Sequence, residues 1–261
     1  MSQDATKVHQ DFWTARRVAW YQRANERSDY AERVFGAAAS LLAGARTALD
    51  VGAGFGALAI PLAARLERVT ALEPAAAMAG ALRAEAARRR LDNLSVIEAA
   101  WGEVVLPPHD LVLCAHVGPL LERGGTFLRE APALARRGVI LVRDMPGGDD
   151  KFFFSELYPR FLGRGYDRCC DYEETLEEVG ALGIVPAVTP IEYASDQPFA
   201  TLDEACDFWM EYMGLEGEDA RVALRTFLAR RLRRDGRGWI APLRKRAAVI
   251  HWRVGPEEPA R

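Results

Sequence analysis

Between Thr47 and Asp144, short apolar runs alternate with longer segments whose apolar positions recur every three or four residues. The runs are Thr47–Val51, Arg68–Leu72, Asn93–Glu98, Asp110–Val117 and Gly138–Asp144. The periodic segments predict helices at Ala57–Leu66, Ala75–Arg90 and Thr126–Ala135. Gly44, Pro74, the pair Pro107-Pro108 and Gly118-Pro119 punctuate them, since glycine and proline end regular structure. Continuous apolar strands alternating with helices read as βαβ units, a parallel sheet buried on both faces. Right-handed crossovers then place every strand C-terminus on one edge.

The flanks read differently. Asp11–Leu42 is expected to be helical, with Trp13, Trp20 and Tyr21 on a shared stripe and Asp29 capping a second helix. After Met145 the pattern loosens into a turn-rich loop, Pro146–Asp150, and an aromatic insertion, Lys151–Tyr166, packed over the sheet edge. Tyr172–Leu182, Thr201–Met213 and Glu218–Arg234 read as helices. Ile184–Tyr193 reads as a strand near an edge, because Pro186 and Pro190 cannot donate to a ladder. Ala247–Val254 is a last apolar strand, followed by a Pro/Glu tail at residues 255–261. The expected fold is therefore α/β and Rossmann-like. It is a doubly wound, mostly parallel seven-stranded sheet with helices on both faces, an N-terminal helical extension (1–46) and a helical insertion near the C-terminus. The main domain spans 47–254, with insertions at about 146–170 and 195–246.

Length and charge add limits. The 261 residues carry a net charge of -3, which points away from a dedicated nucleic-acid binder. Arginines at 221, 225, 230, 231, 233, 234, 237, 244 and 246, with Lys245, form a basic cluster. Leu224, Phe227, Leu228 and Leu232 form an apolar face at helical spacing, however, which leaves the arginines on a solvated one. Nucleic acid is not an expected partner. The 4 cysteines (114, 169, 170 and 206) form no C-x-x-C pair, so reduced thiols are expected and no metal site. No apolar run follows Met1 and none is long enough to span a bilayer, so neither export nor membrane contact is expected and the location reads as cytoplasmic. The Ala/Arg bias, with lysine only at 7, 151 and 245, suggests a GC-rich bacterial genome.

The fragment Leu49-Asp50-Val51-Gly52-Ala53-Gly54-Phe55-Gly56 carries the most chemistry. Glycines between a strand and a helix permit positive φ and leave room for a nucleoside ligand against the backbone. Gly52-x-Gly54-x-x-Ala57 also fits the dinucleotide fingerprint, and Glu73 at the end of the second strand could hold ribose hydroxyls in either case. An NAD(P)-dependent oxidoreductase therefore stays open on these residues. Three features tilt the choice: Asp50, whose charge does nothing for a pyrophosphate, the helical extension before the loop, and the apolar strand after a long helical excursion.

The fragments LDVGAGFGALAIPLA, VTALEPAAAM and HDLVLCAHVGPLL resemble the first, second and fourth-strand motifs of class I S-adenosylmethionine-dependent methyltransferases. The resemblance covers roughly Asp11 to Asp144 and implies S-adenosylmethionine as cofactor. Asp50, Gly52, Ala53, Gly54 and Gly56 would line it, Glu73 would hold its ribose, and Pro74 and Met78 would flank the adenine. The family often has an aspartate after the third strand. Here Ala99-Ala100-Trp101 stand there, so Ala100 backbone and Trp101 would hold the adenine instead. Ala115 and His116 would complete the wall, and the N-terminal extension would act as a lid carrying Trp13.

Methyl transfer from a sulfonium is an in-line displacement that depends mainly on holding three atoms in line. Two polar groups are expected at the strand C-termini. His116 could be a general base, or a hydrogen-bonded residue orienting the acceptor. Asp144 could bind a cation or hydroxyl, or cap the loop before Pro146. Trp13, Tyr21, Phe153 and Tyr158 could contact substrate or form a satellite core. A small-molecule acceptor is the favoured reading, with an RNA- or protein-modifying enzyme as the alternative. Oligomeric state is not readable.

Overall fold

The computed structural model of the chain describes residues 12–167, 172–236 and 238–255. Cys169, Cys170, Arg237, the start of the first expected helix at Asp11 and nearly all of the tail lie outside the described residues. The described chain begins with helices α1 (Ala15–Asn25), α2 (Tyr30–Ala37) and α3 (Ala39–Leu42). Then come β1 (Thr47–Val51), α4 (Ala59–Ala63), β2 (Arg68–Leu72), α5 (Ala76–Arg89), β3 (Leu94–Ile97) and β4 (His109–Ala115). These are followed by α6 (Gly118–Leu121), α7 (Phe127–Leu134) and β5 (Ala135–Asp144). A 3-10 turn, Lys151–Phe153, leads into α8 (Phe154–Leu162) and α9 (Tyr172–Ala181). The rest is β6 (Ala187–Ala194), β7 (Gln197–Phe199), α10 (Leu202–Met213), α11 (Glu218–Arg231), β8 (Arg233–Arg234), β9 (Trp239–Ala241) and β10 (Arg244–Arg253).

The main sheet has the seven strands expected from the sequence, in the order β3-β2-β1-β4-β5-β10-β6. β1 to β5 pair in parallel, and β10 runs antiparallel between β5 and β6. Strand order reverses between β1 and β4, which opens a crevice at their C-terminal ends. Alternation explains the unbroken apolar runs. Ala48, Leu111 and Leu113 face one core, while Leu49, Val112 and Cys114 face the other.

A third core lies outside the sheet. Trp20, Phe154, Leu157, Phe208, Trp209, Leu224 and Leu228 join α1, α8, α10 and α11. A small sheet, β7-β9-β8, closes this layer and was not expected. Its β8 is two residues taken from the end of the expected Glu218–Arg234 helix, which stops at Arg231. The helix after the glycine loop is also shorter than expected, because Gly56 and the turn after it delay regular bonding until Ala59. β5 starts at Ala135 rather than Gly138, since a register shift between His109 and Leu111 lets it pair earlier. β10 starts at Arg244 rather than Ala247, paired along its length with edge strand β6, where Pro190 sits. Asp29 precedes α2 but does not cap it. Its carboxylate takes Arg33 at 2.7 Å and the Ala194 amide at 3.2 Å instead. Among the described residues no helix is long and apolar enough to cross a membrane.

Candidate functional site

The glycine loop sits at the β1/β4 crevice and is spliced to β2. The amides of Gly52 and Ala53 both donate to the Leu72 carbonyl, at 2.8 and 3.1 Å. Its glycines have different jobs. At Gly52 (φ 71°) an added Cβ would lie 2.3 Å from the Val117 methyl, and at Gly56 (φ 95°) it would lie 2.3 Å from Leu82. Both are places of close packing. At Gly54 (φ 57°) it would meet only the Met78 sulfur, at 3.9 Å. The backbone there faces an open cavity.

That cavity has a volume of about 200 Å³. Asp50, Gly52, Ala53, Gly54, Glu73, Pro74, Met78, Ala115 and His116 all line it, with Trp13 and Tyr21. Gly56, Ala100 and Trp101 do not. Trp101 stacks edge-on against Phe127 at 4.8 Å and donates its Nε1–H to Glu130 at 2.8 Å. The Ala100 amide is taken by Glu103. A larger cavity of about 680 Å³ lies at the opposite edge of the sheet, where strands begin. Its charges neutralise one another, as in the Arg46–Glu67 pair at 2.7 Å, so it is not where the chemistry converges.

Glu73 is buried and doubly fixed. One carboxylate oxygen accepts the Gly54 amide and the other accepts the Ala75 amide, both at 2.8 Å. Each oxygen keeps a second lone-pair direction for a hydroxyl donor. Burial raises its pKa, against the pull of those two amides. Asp50 is buried beside it. Burial first, then the charge of Glu73, pushes Asp50 up to about 7, against a hydrogen bond from the Ala59 amide. Two buried carboxyls with no cation beside them suit a ligand that brings hydroxyl donors and a positive charge. An S-adenosyl ligand has both, and the open face at Gly54 leaves room for it.

Helix α1 covers the cavity. Val18 packs with Phe55, Ala75 and Met78 in a buried cluster. Trp13 stacks on Tyr21 at 5.7 Å, and Tyr21 meets Phe55 edge-on at 4.8 Å. α1 is anchored on its other side to α10 through Arg17–Glu211 (2.9 Å), Arg23–Glu204 (2.5 Å) and the Trp20 indole. Phe153 and Tyr158 lie elsewhere. Phe153 stacks on Trp209 and Tyr158 packs on Phe154 and Tyr166, both within the third core.

His116 falls one residue beyond β4, in a left-handed conformation (φ 57°) held by its amide bond to Val142. A non-glycine residue there stores strain of the kind found at functional sites. Its Nδ1 is 3.4 Å from the Asp144 carboxylate, at the end of β5. Its Nε2 has no hydrogen-bond partner among the described residues. Enclosure by the pocket wall lowers its pKa to about 4, against the pull of Asp144, so the ring is neutral at pH 7. Burial opposes the charge on Asp144, but His116, Lys245, Lys151 and Arg143 outweigh it and hold the carboxyl below its usual range.

Sequence reasoning missed Tyr30 and Tyr193. Tyr30 lines the same cavity, lies 5.6 Å from the His116 ring and 4.7 Å from Tyr193, and its buried hydroxyl has no hydrogen-bond partner among the described residues. It comes from α2, and Tyr193 from β6, so no local pattern relates either to His116. Lys151 and Lys245 were missed as well, although their rarity in an arginine-rich chain was a signal.

Residues 48–138 match the family model described as a methyltransferase domain. No curated protein matches the chain in sequence. Among solved structures, a protein from Anaeromyxobacter dehalogenans assigned as a type II methyltransferase superposes with a TM-score of 0.53 at 18% identity. It covers 92% of this chain and 97% of its own. The YcgJ protein of Bacillus subtilis superposes with a TM-score of 0.50 at 13% identity, covering 85% of this chain and 99% of its own. At such identities these two share the fold. That match supports the methyltransferase side of the two alternatives that the glycine loop alone left open. Over residues 48–138 the chain is similar to a methyltransferase domain, on the fold of these two structures.

Proposed function

We propose that the protein methylates a small molecule at a hydroxyl or amine held between Tyr30 and His116. The observation that carries this is the pair of buried polar atoms without a partner among the described residues, Tyr30 Oη and His116 Nε2, on two residues that line the same cavity. Buried polar atoms without partners are rare and mark sites completed by a ligand. A neutral imidazole with Nδ1–H turned to Asp144 presents an acceptor at Nε2, while the phenol presents a donor. Together they fit one hydroxyl or amine and aim its lone pair. With a pKa near 4, His116 orients the acceptor rather than serving as a strong base.

When bound, the cofactor supplies a methyl group on a sulfonium cation. Glu73 would take the ribose hydroxyls, Pro74 and Met78 the adenine side, and Asp50 would answer the positive charge. Residues 1–46 would serve as the lid, through Trp13 and Tyr21, and residues 146–170 and 195–246 would roof the acceptor side. A small acceptor is further supported by the arginines of α11. Arg221 pairs with Asp207, Arg225 with Asp203 and Arg231 with Glu156, so their charge is answered within the chain rather than offered to a polyanion.

The test incubates the protein with methyl-labelled S-adenosylmethionine and a fractionated bacterial extract. Label in the low-mass fraction, strongly reduced by Tyr30→Phe with S-adenosylhomocysteine affinity unchanged, is the expected result. Label confined to RNA or protein would overturn it.

A further inference from the structure

The chain uses arginine for nearly all its basic positions, with lysine only at 7, 151 and 245. The two lysines that are described line one cavity of about 430 Å³, between the end of β5 and the start of β10. They come from positions ninety-four residues apart in sequence. Lysine differs from arginine in presenting a compact point charge on a flexible stem. Neither ammonium lies within 4.0 Å of a carboxylate among the described residues. The carboxylates Asp149 and Asp167 and the guanidiniums of Arg244 and Arg246 also line the cavity. Asp149 accepts the Arg244 amide at 2.7 Å, and Arg246 pairs with Glu192 at 3.2 Å and donates to the Pro146 carbonyl. Asp144, lying toward His116, balances at most one of the two lysines.

Shared lining residues link this cavity to the one at the glycine loop. Lys245 lines both the lysine cavity and a narrow cleft formed with Tyr21, Tyr30, His116 and Tyr193. Tyr30 and His116 line both that cleft and the cofactor cavity. Tyr193 and Lys245 therefore stand between Tyr30 and His116 on one side and the Lys151 cavity on the other.

We propose that Lys151 and Lys245 form a subsite for an anionic group, a carboxylate or phosphate, on the methyl acceptor. The acceptor is then a small anionic hydroxy or amino compound. This rests on the small-molecule reading above and names the substrate class within it. Burial, with help from Lys245, lowers Lys151 to about 8, so its cation weakens just where an incoming anion would restore it.

The test titrates protein saturated with S-adenosylhomocysteine with benzoate, phenyl phosphate and benzyl alcohol, by calorimetry. One of the two anions binds, and whether it is benzoate or phenyl phosphate tells carboxylate from phosphate. Benzyl alcohol binds at least about tenfold more weakly. Lys151→Met and Lys245→Met each weaken the anion by about tenfold or more, Lys245→Arg restores part of it, and thermal melts report that the variants are folded. Equal binding of anion and alcohol, or an unchanged anion affinity in the folded Met variants, overturns the proposal. So does loss of S-adenosylhomocysteine affinity in Lys245→Met, which would assign that lysine to the cofactor's own carboxylate. The first titration separates the two levels. Failure of S-adenosylhomocysteine to bind removes the function itself, whereas cofactor binding without anion binding removes only this subsite.

Discussion

Replacing Asp50 by asparagine keeps the shape of the site and removes a buried acid. In the folded chain this carboxyl is raised from 3.8 to about 7 by burial and by Glu73. Between those two values the folded state keeps a proton that the unfolded state has lost. Stability therefore falls as pH rises from about 4 to about 7. Each tenfold change in proton affinity is worth 1.36 kcal/mol, so the ionised carboxyl costs the fold roughly 4 kcal/mol above pH 7. Asp50→Asn removes this dependence. Urea melts of wild type and variant at pH 4.5, 6 and 8 measure it. The variant is expected to gain on wild type steadily across the window, by roughly 4 kcal/mol at pH 8, while S-adenosylmethionine binds it more weakly. Glu73 is raised in the same direction in both proteins, so the difference isolates Asp50 and its coupling to Glu73. Parallel stability curves would refute the assignment of a strained, charge-poor pocket awaiting a cation.

Two further substitutions separate packing from ligand contact. Gly52→Ala forces a left-handed alanine and a 2.3 Å approach to Val117, and should destabilise by roughly 2–4 kcal/mol in urea melts. Adding Val117→Ala should recover the steric part alone, and full recovery would mean that the backbone conformation costs nothing there. Trp101→Phe keeps the ring against Phe127 and loses only the bond to Glu130. S-adenosylhomocysteine affinity should stay within about twofold, with a stability loss of about 1 kcal/mol. A large affinity loss would return Trp101 to the adenine.

The proposed donor half of the site was legible because it is local. Strand, glycine loop and strand-end acid follow one another within Thr47–Glu73, and each is dictated by backbone need: positive φ at Gly52 and Gly54, and a carboxylate beyond β2. The mostly parallel seven-stranded sheet followed from the alternation of strands and helices. The proposed acceptor half was not legible, since Tyr30, His116, Lys151, Tyr193 and Lys245 come from five separate segments joined only by tertiary packing. Trp101 was read by analogy of position after the third strand, but Glu130 on α7 takes its indole N–H. Phe153 and Tyr158 carried a signal that sequence could not resolve. Aromatics at that spacing suit a lid or a core, and here Trp209 and Tyr166 offer them core partners. β8 was hidden in an arginine run, where composition favours helix and only pairing with β9 makes strand.

Calorimetric titration of S-adenosylhomocysteine into wild type and Glu73→Gln tests the central claim most directly. The two ribose hydroxyls assigned to the Glu73 carboxylate are charge-assisted bonds of about 1.5–3 kcal/mol each, so the variant should bind roughly a hundredfold more weakly while melting as a folded protein. Equal affinity in the two proteins, or no binding to wild type, would contradict the account.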